Sequence, residues 1–304
     1  MAHAISANPN LWQSEELQSS RLAAIAKQAL IAEAELTPKP GLVDRRGSGA
    51  HTDLSLDRMR RSAETIEPFF ARMADSSSGR RIDSSLREEL AAIGREAEHA
   101  MFQATGGTNT HRGAIWVLGL LIAAAQKTQN GNSKRIAEVA GAIARIPDLA
   151  RPELVSHGDL VRSRYGATGA RGEAYANFPH VVEVGIPALR AARVAGKPVT
   201  ASRLDELLNI MAELDDTCVL YRGGVEGANT VKVWARAVLA VGGVGSRAGN
   251  EALRQFDREL LEKRISPGGS ADLLAASLFL DCVESGQNTV RKDRSSEEGT
   301  YGGD

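Results

Sequence analysis

Ala114-Ile115-Trp116-Val117-Leu118-Gly119-Leu120-Leu121-Ile122-Ala123-Ala124-Ala125 is the stretch whose reading decides the fold. It is apolar on every side of a helix, so it belongs in an interior and not on a surface. It is too short to cross a bilayer, which takes about 20 apolar residues. A buried central helix needs partners all round, and the flanking sequence supplies them. Leu56, Met59, Ala63, Ile66, Phe70 and Met73 recur three and four apart, as do Leu86, Leu90, Ile93, Ala97 and Met101. Leu22, Ile25, Ala29 and Ala32 upstream, and Leu204, Leu208, Met211 and Leu214 downstream, make further helical stripes. No segment alternates as a strand, and no repeat is evident. The expectation is an all-α protein, a single multi-helix bundle over residues 14–286, with loose termini at 1–13 and 287–304.

The boundary signals are local. Ser14-Glu15-Glu16 opens the first helix, and Thr37-Pro38-Lys39-Pro40-Gly41 stops it. Asp53 reads as the next cap, and Ser85-x-x-Glu88 reads as a capping box. Ser133 starts a fifth helix, and Ser156-His157-Gly158-Asp159 reads as a break. A helix is expected from about Ala174 to Val194, limited by Pro179 and Pro187. Ser202-x-x-Asp205 marks another start, and helices follow at about 226–241 and 250–264. Ser266-Pro267-Gly268-Gly269-Ser270 is a glycine-rich turn that opens a last apolar helix running to Ser285.

Composition narrows the function classes. The chain has 304 residues, 42% apolar and 25% charged, with a formal net charge of −1. That is an ordinary globular balance, without the basic excess of a nucleic-acid binder. Two cysteines, Cys218 and Cys282, form no zinc or disulfide pattern. No signal peptide or membrane span is read, so a cytoplasmic setting is expected.

The chemistry-bearing residues fall between the stripes. Thr105-Gly106-Gly107-Thr108-Asn109-Thr110-His111-Arg112-Gly113 precedes the central helix, and free N–H groups at a helix start beside an arginine suit an anion. Taken alone, the segment is better explained as a capped turn. The connectors together carry Lys39, Arg45, Arg46, Arg112, Arg171 and Arg222 as cations. They carry Asp44, Glu173, Asp215, Asp216 and Asp272 as carboxylates, with His51 and His111. Cations at glycine-rich helix starts suit phosphates, and carboxylates beside phosphates suit Mg²⁺ or proton transfer. Asp272, at a helix start, is accounted for by the helix dipole without any function. No P-loop or dinucleotide-binding fingerprint occurs.

Five of these connector motifs, in order, resemble the triphosphoribosyl-dephospho-coenzyme A synthase family. They are Pro38-Lys39-Pro40-Gly41-Leu42-Val43-Asp44, Thr108-Asn109-Thr110-His111-Arg112-Gly113, Gly169-Ala170-Arg171-Gly172-Glu173, Asp216-Thr217 with Arg222-Gly223-Gly224, and Ser266-Pro267-Gly268-Gly269-Ser270-Ala271-Asp272-Leu273-Leu274. The resemblance implies a helical enzyme that joins ATP to 3′-dephospho-coenzyme A and releases adenine. Its product is the precursor of the prosthetic group on the acyl carrier of citrate lyase or malonate decarboxylase, reached through a holo-carrier-protein synthase. Pro179-His180-Val181-Val182-Glu183-Val184-Gly185 and the 215–222 segment look more like the malonate branch.

Residue chemistry then suggests roles. Asp216 or Glu173 would be the general base, and His111 would assist adenine departure. ATP and its partner would contact Lys39, Pro40, Gly41, Asn109, Thr110, Arg112, Arg171, Thr217, Arg222, Gly223, Gly224, Gly268, Gly269 and Ser270. Asp44 or Asp216, with Glu33 on the preceding helix, would hold Mg²⁺. Association as a homodimer is compatible with this reading. Two other readings stand beside it: a helical Mg²⁺-dependent hydrolase of an ADP-ribosyl-type N-glycoside, and a non-catalytic scaffold that docks a carrier protein.

Overall fold

Two apolar helices form the centre of the molecule, and ten others wrap them. The structure is a computed structural model that describes residues 9–129, 131–150, 157–287 and 290. In order, the helices are α1 (Pro9–Glu35), α2 (Leu56–Asp75), α3 (Ser84–Ala104), α4 (Arg112–Thr128), α5 (Ser133–Arg145), α6 (His157–Tyr165), α7 (Gly169–Tyr175), α8 (Ile186–Val194), α9 (Val199–Glu213), α10 (Thr217–Ala240), α11 (Arg247–Glu262) and α12 (Gly268–Glu284). A π-helical stretch, His180–Gly185, joins α7 to α8. No strand occurs among the described residues, so the all-α expectation holds.

Helix α4 is buried from Ala114 to Gln126 except at the partly buried Trp116, as its composition requires. Its second central partner is α12, buried from Ser270 to Cys282 except at Asp272. Helix α4 packs on α1, α2, α3, α5 and α12, and α12 packs on α1, α4 and α9. The approach of α4 to α2 is close. A β-carbon on Gly119 would lie 2.6 Å from Met73 Sδ, so a larger residue there would displace the Met73 side chain. One continuous apolar core runs through these contacts from Leu22 to Val290.

Several boundaries differ from the sequence reading, each for a local reason. Helix α1 begins at Pro9 and not at Ser14; proline is tolerated in a first turn, where its missing N–H has no partner to lose. Asp53 does not cap α2: Ser55 does, accepting from the Arg58 N–H at 3.3 Å. Asp83 caps α3 through the Leu86 N–H at 3.0 Å, and Ser85 instead accepts from Arg80. Helix α6 starts at His157, where a break was expected, and Ser156 lies outside the described residues. Gly169 to Glu173 are helical, and the segment expected from Ala174 to Val194 is split. Asn177 and Phe178 take positive φ angles of 65° and 55°, which ends α7 before Pro179.

Ser202 is interior to α9, which starts at Val199 after Pro198. Arg222, Gly223 and Gly224 lie inside α10, which is kinked at Gly224 (φ 60°, ψ −159°). Helix α11 begins at Arg247, capped by Ser246, and not near residue 250. At the C-terminal end, Val290 is buried and its N–H donates to Gln28 Oε1 at 3.1 Å.

Candidate active site

The N-termini of α4, α7, α10 and α12 meet at one pole. Asp216 ties two of them. As the N-cap of α10 it accepts from the Cys218 N–H at 2.8 Å, and it reaches across to α12 to accept from Gly269 N–H at 3.2 Å and Ser270 N–H at 2.7 Å. Ser270 Oγ adds a further bond at 3.0 Å. Gly269 is needed for this approach, since a β-carbon there would lie 2.9 Å from Asp216 Oδ1. Helix α7 joins through Gly169, whose β-carbon would lie 2.9 Å from Thr217 Cγ2. Helix α4 joins through Gly113, where a β-carbon would collide with Asp272 Oδ2. Asp216 takes the first N–H groups of α10 and α12, and Asn109 takes that of Arg112, so what the helix starts leave at the pole is the positive end of their dipoles.

The 37–51 loop closes one side. Lys39 is fully buried; its ammonium bonds the Glu33 carboxylate and donates to the Glu33 carbonyl at 2.6 Å. Asp44 accepts from the Lys39 N–H at 2.9 Å and the Arg46 N–H at 2.7 Å, and pairs with the Arg46 guanidinium at 2.7 Å. Arg46 also pairs with Asp257 of α11 at 2.6 Å, and Asp257 receives the Gly41 N–H at 3.0 Å. Pro40 is buried beside them. Further along, His51 Nε2 sits 2.8 Å from Ser266 Oγ, and Arg222 Nη2 sits 3.2 Å from His51 Nδ1. Burial first, then the nearby Arg222 charge, holds the His51 imidazole neutral, its pKa down at about 4.

His111 is the N-cap of α4 and is 2% exposed. Its Nδ1 lies 2.7 Å from Ser62 Oγ, which also receives the Thr110 hydroxyl at 2.7 Å. Its Nε2 is buried without a partner. Burial, and secondarily the Lys39 charge, pull its pKa down to about 3. Asn109 Oδ1 accepts from the Arg112 N–H at 3.2 Å, and the Arg112 guanidinium pairs with Glu98 at 3.1 Å.

Glu173 is turned toward His180. It accepts the His180 N–H at 2.8 Å and faces His180 Nδ1 at 2.8 Å. That hydrogen bond raises the His180 pKa. Arg171 lies over the Tyr175 ring and donates to its hydroxyl at 2.9 Å. Of the cations singled out from the sequence, Arg171 and Arg222 have no carboxylate partner among the described residues, whereas Lys39, Arg45, Arg46 and Arg112 do.

Two residues gain importance only here. Arg87 on α3 is buried, its guanidinium 4.9 Å from the Trp116 ring centroid and its Nε without an acceptor. Trp116 in turn donates to the Ala170 carbonyl at 3.3 Å, which brings Arg87 beside α7. In the sequence Arg87 is one charge beside an apolar stripe, and nothing local marks it. Asp272 accepts no hydrogen bond from any described residue. Burial, then Glu33 and Asp216, push its carboxyl well above the usual range.

The proposed metal ligands can be tested against this geometry. Asp44, Asp216 and Glu33 each face N–H donors or an ammonium, and no three His, Cys, Asp or Glu side chains converge among the described residues. This donor set does not fit a resident Mg²⁺ ion. No helix among the described residues is long and apolar enough to cross a membrane.

Comparison with known proteins gives the family. Residues 19–290 match the family model CitG, ATP:dephospho-CoA triphosphoribosyl transferase. A relative in Stutzerimonas stutzeri (strain A1501), named "Probable 2-(5''-triphosphoribosyl)-3'-dephosphocoenzyme-A synthase", is 53% identical over 86% of this chain and 91% of its own length. Relatives of the same name in Azotobacter vinelandii and Pseudomonas fluorescens (strain Pf-5) are 51% and 50% identical, over 88% and 91% of this chain and 92% and 96% of theirs. The matched span takes in every element that meets at the pole, and the chain belongs to the ATP:dephospho-CoA triphosphoribosyl transferase family.

Proposed function

We propose that the protein transfers the triphosphoribosyl unit of ATP to the 2′-hydroxyl of 3′-dephospho-coenzyme A and releases adenine. The observation that carries this reading is the pole itself: four helix N-termini with Arg171 and Arg222 left unneutralised beside them. Such a place suits an intact triphosphate. In this reading Arg171, Arg222 and the start of α4 hold phosphate oxygens, the Gly269 and Ser270 N–H groups being already bonded to Asp216, and the orphaned His111 Nε2 serves the leaving base. The bond broken is C1–N9 of the donor adenosine, through a transition state with oxocarbenium character. Mg²⁺ enters with ATP as part of the substrate.

The product would serve the acyl carrier of malonate decarboxylase, in preference to citrate lyase, through a holo-carrier-protein synthase in the cytoplasm. The test is to incubate the protein with ATP, Mg²⁺ and 3′-dephospho-coenzyme A and to resolve the products chromatographically. Adenine in equal amount to the coupled nucleotide is expected, and ADP or pyrophosphate as main product overturns the reading. Adenine released without the acceptor marks the hydrolase instead. No ATP-induced thermal shift at all marks the scaffold.

A further inference from the structure

The transfer needs a group to take the hydroxyl proton, and the pole holds several carboxylates. Most are already engaged. Asp216 caps two helices, Asp44 is held by Arg46 and two N–H groups, Glu173 is turned onto His180, and Glu33 is on Lys39. Asp272 differs from all of them. It sits in the opening turns of α12, partly open to solvent, with no donor directed at it. Its Oδ2 fills the space that a side chain on Gly113 would take, so it lies directly against the first turn of α4. A second, independent feature marks the same turn. One residue before Arg112, His111 leaves Nε2 buried and unsatisfied, on the opposite side of the ring from Ser62. His111 is the N-cap of α4 and Asp272 lies against Gly113 two residues on, so both groups stand at the same first turn. A fold that needed only stability would not keep an unpaired carboxyl among like charges beside an orphaned imidazole.

We propose that Asp272 is the general base that takes the 2′-hydroxyl proton of the acceptor, at the start of α4 beside Gly113. This rests on the transfer reaction proposed above. The hydroxyl oxygen forms its bond to the ribose C1 of ATP while its proton passes to an Asp272 oxygen. The C1–N9 pair leaves with adenine, which takes a proton from water, and Asp272 returns its proton to solvent. The raised basicity of a carboxylate facing Glu33 and Asp216 suits the task.

The test compares Asp272→Asn, Asp272→Glu and Gly113→Ala with the wild type in the adenine-release assay, with ATP binding read by thermal shift. The Asn variant is expected to lose at least a hundredfold in kcat, keep its ATP-induced shift, and melt at the wild-type temperature or above it, since an unpaired carboxyl has been removed. The Glu variant recovers part of the rate. Gly113→Ala lowers kcat by displacing the carboxylate. An Asn variant within threefold of wild-type turnover overturns the proposal. So does an Asn variant that loses turnover together with its thermal midpoint and its ATP shift, which would make Asp272 structural. If the wild type itself releases no adenine, the transfer reading has failed, an outcome distinct from a wild type that turns over beside an equally active Asn variant.

Discussion

Asp216 Oδ2 accepts both the N–H of Ser270 at 2.7 Å and its Oγ–H at 3.0 Å, so one carboxylate on α10 also caps α12. Truncation to Asp216→Ala leaves buried N–H donors of two helices without an acceptor. The expected loss is about 3 kcal/mol, which lowers the melting midpoint by roughly 5–10 °C. Asp216→Asn, with one acceptor oxygen left, should recover part of it. Thermal unfolding followed by circular dichroism checks this, and an Ala variant that melts with the wild type refutes the double cap.

The rim cations should differ in their effect on ATP. Arg222 has no carboxylate partner, whereas Arg112 is already paired with Glu98. Arg222→Ala is expected to raise the KM for ATP about tenfold, the equivalent of about 1.4 kcal/mol, and Arg112→Ala to change it less. Because the Arg222 charge depresses the His51 pKa, the same variant should raise that pKa, readable by NMR titration. Equal effects of the two substitutions would contradict the assignment.

Acid should destabilise the fold through two histidines. Their folded pKa values, about 4 for His51 and about 3 for His111, lie below the ordinary 6.5. The unfolded chain therefore binds more protons across that window. Their contribution is present above pH 6.5 and is lost as pH falls through the window. For His51 the loss by pH 4 is about 3 kcal/mol, at about 1.4 kcal/mol per unit. Urea unfolding of His51→Asn between pH 7 and 4 should show a shallower fall than the wild type.

Glu206 on α9 is wholly buried, with the Ser277 hydroxyl of α12 beside it and no hydrogen bond of good geometry to either oxygen. Burial pushes its carboxyl well above the usual range. A carboxyl raised in this way gives full stability below the unfolded carboxyl range and loses it as pH rises, so it is a liability at neutral pH. Glu206→Gln should raise the midpoint at pH 7 by an amount on the order of 1–3 kcal/mol, with little change near pH 4. Adenine release should be unaffected. A lowered midpoint at pH 7 would show that the carboxylate is compensated.

The apolar stripes located α2, α3 and α4 because burial along a helix repeats every three or four residues, which the chain shows directly. Caps were less legible. Asp53, Ser85 and Ser202 all had the right chemistry, yet Ser55, Asp83 and Pro198 took the positions. Side chains a few residues apart compete equally for the same N–H groups, and the backbone path decides between them. The candidate site divides similarly. The connectors holding Lys39, His111, Asp216 and Gly268 were visible as unusual local chemistry, whereas Arg87 sits beside a stripe with nothing local to mark it.

By itself the sequence determined that this chain is helical, that Ala114–Ala125 is interior, and that the reactive residues cluster at helix ends. Those properties depend on neighbours within one or two turns. Only the tertiary structure decided which charges are spent and which are left. Arg46 finds Asp257 and Asp216 finds Ser270 across long separations in the chain, while Asp272 comes to rest against Gly113 with no donor at all. An ion pair or a hydrogen bond depends on a few ångströms in space, and spacing along the chain carries no record of them.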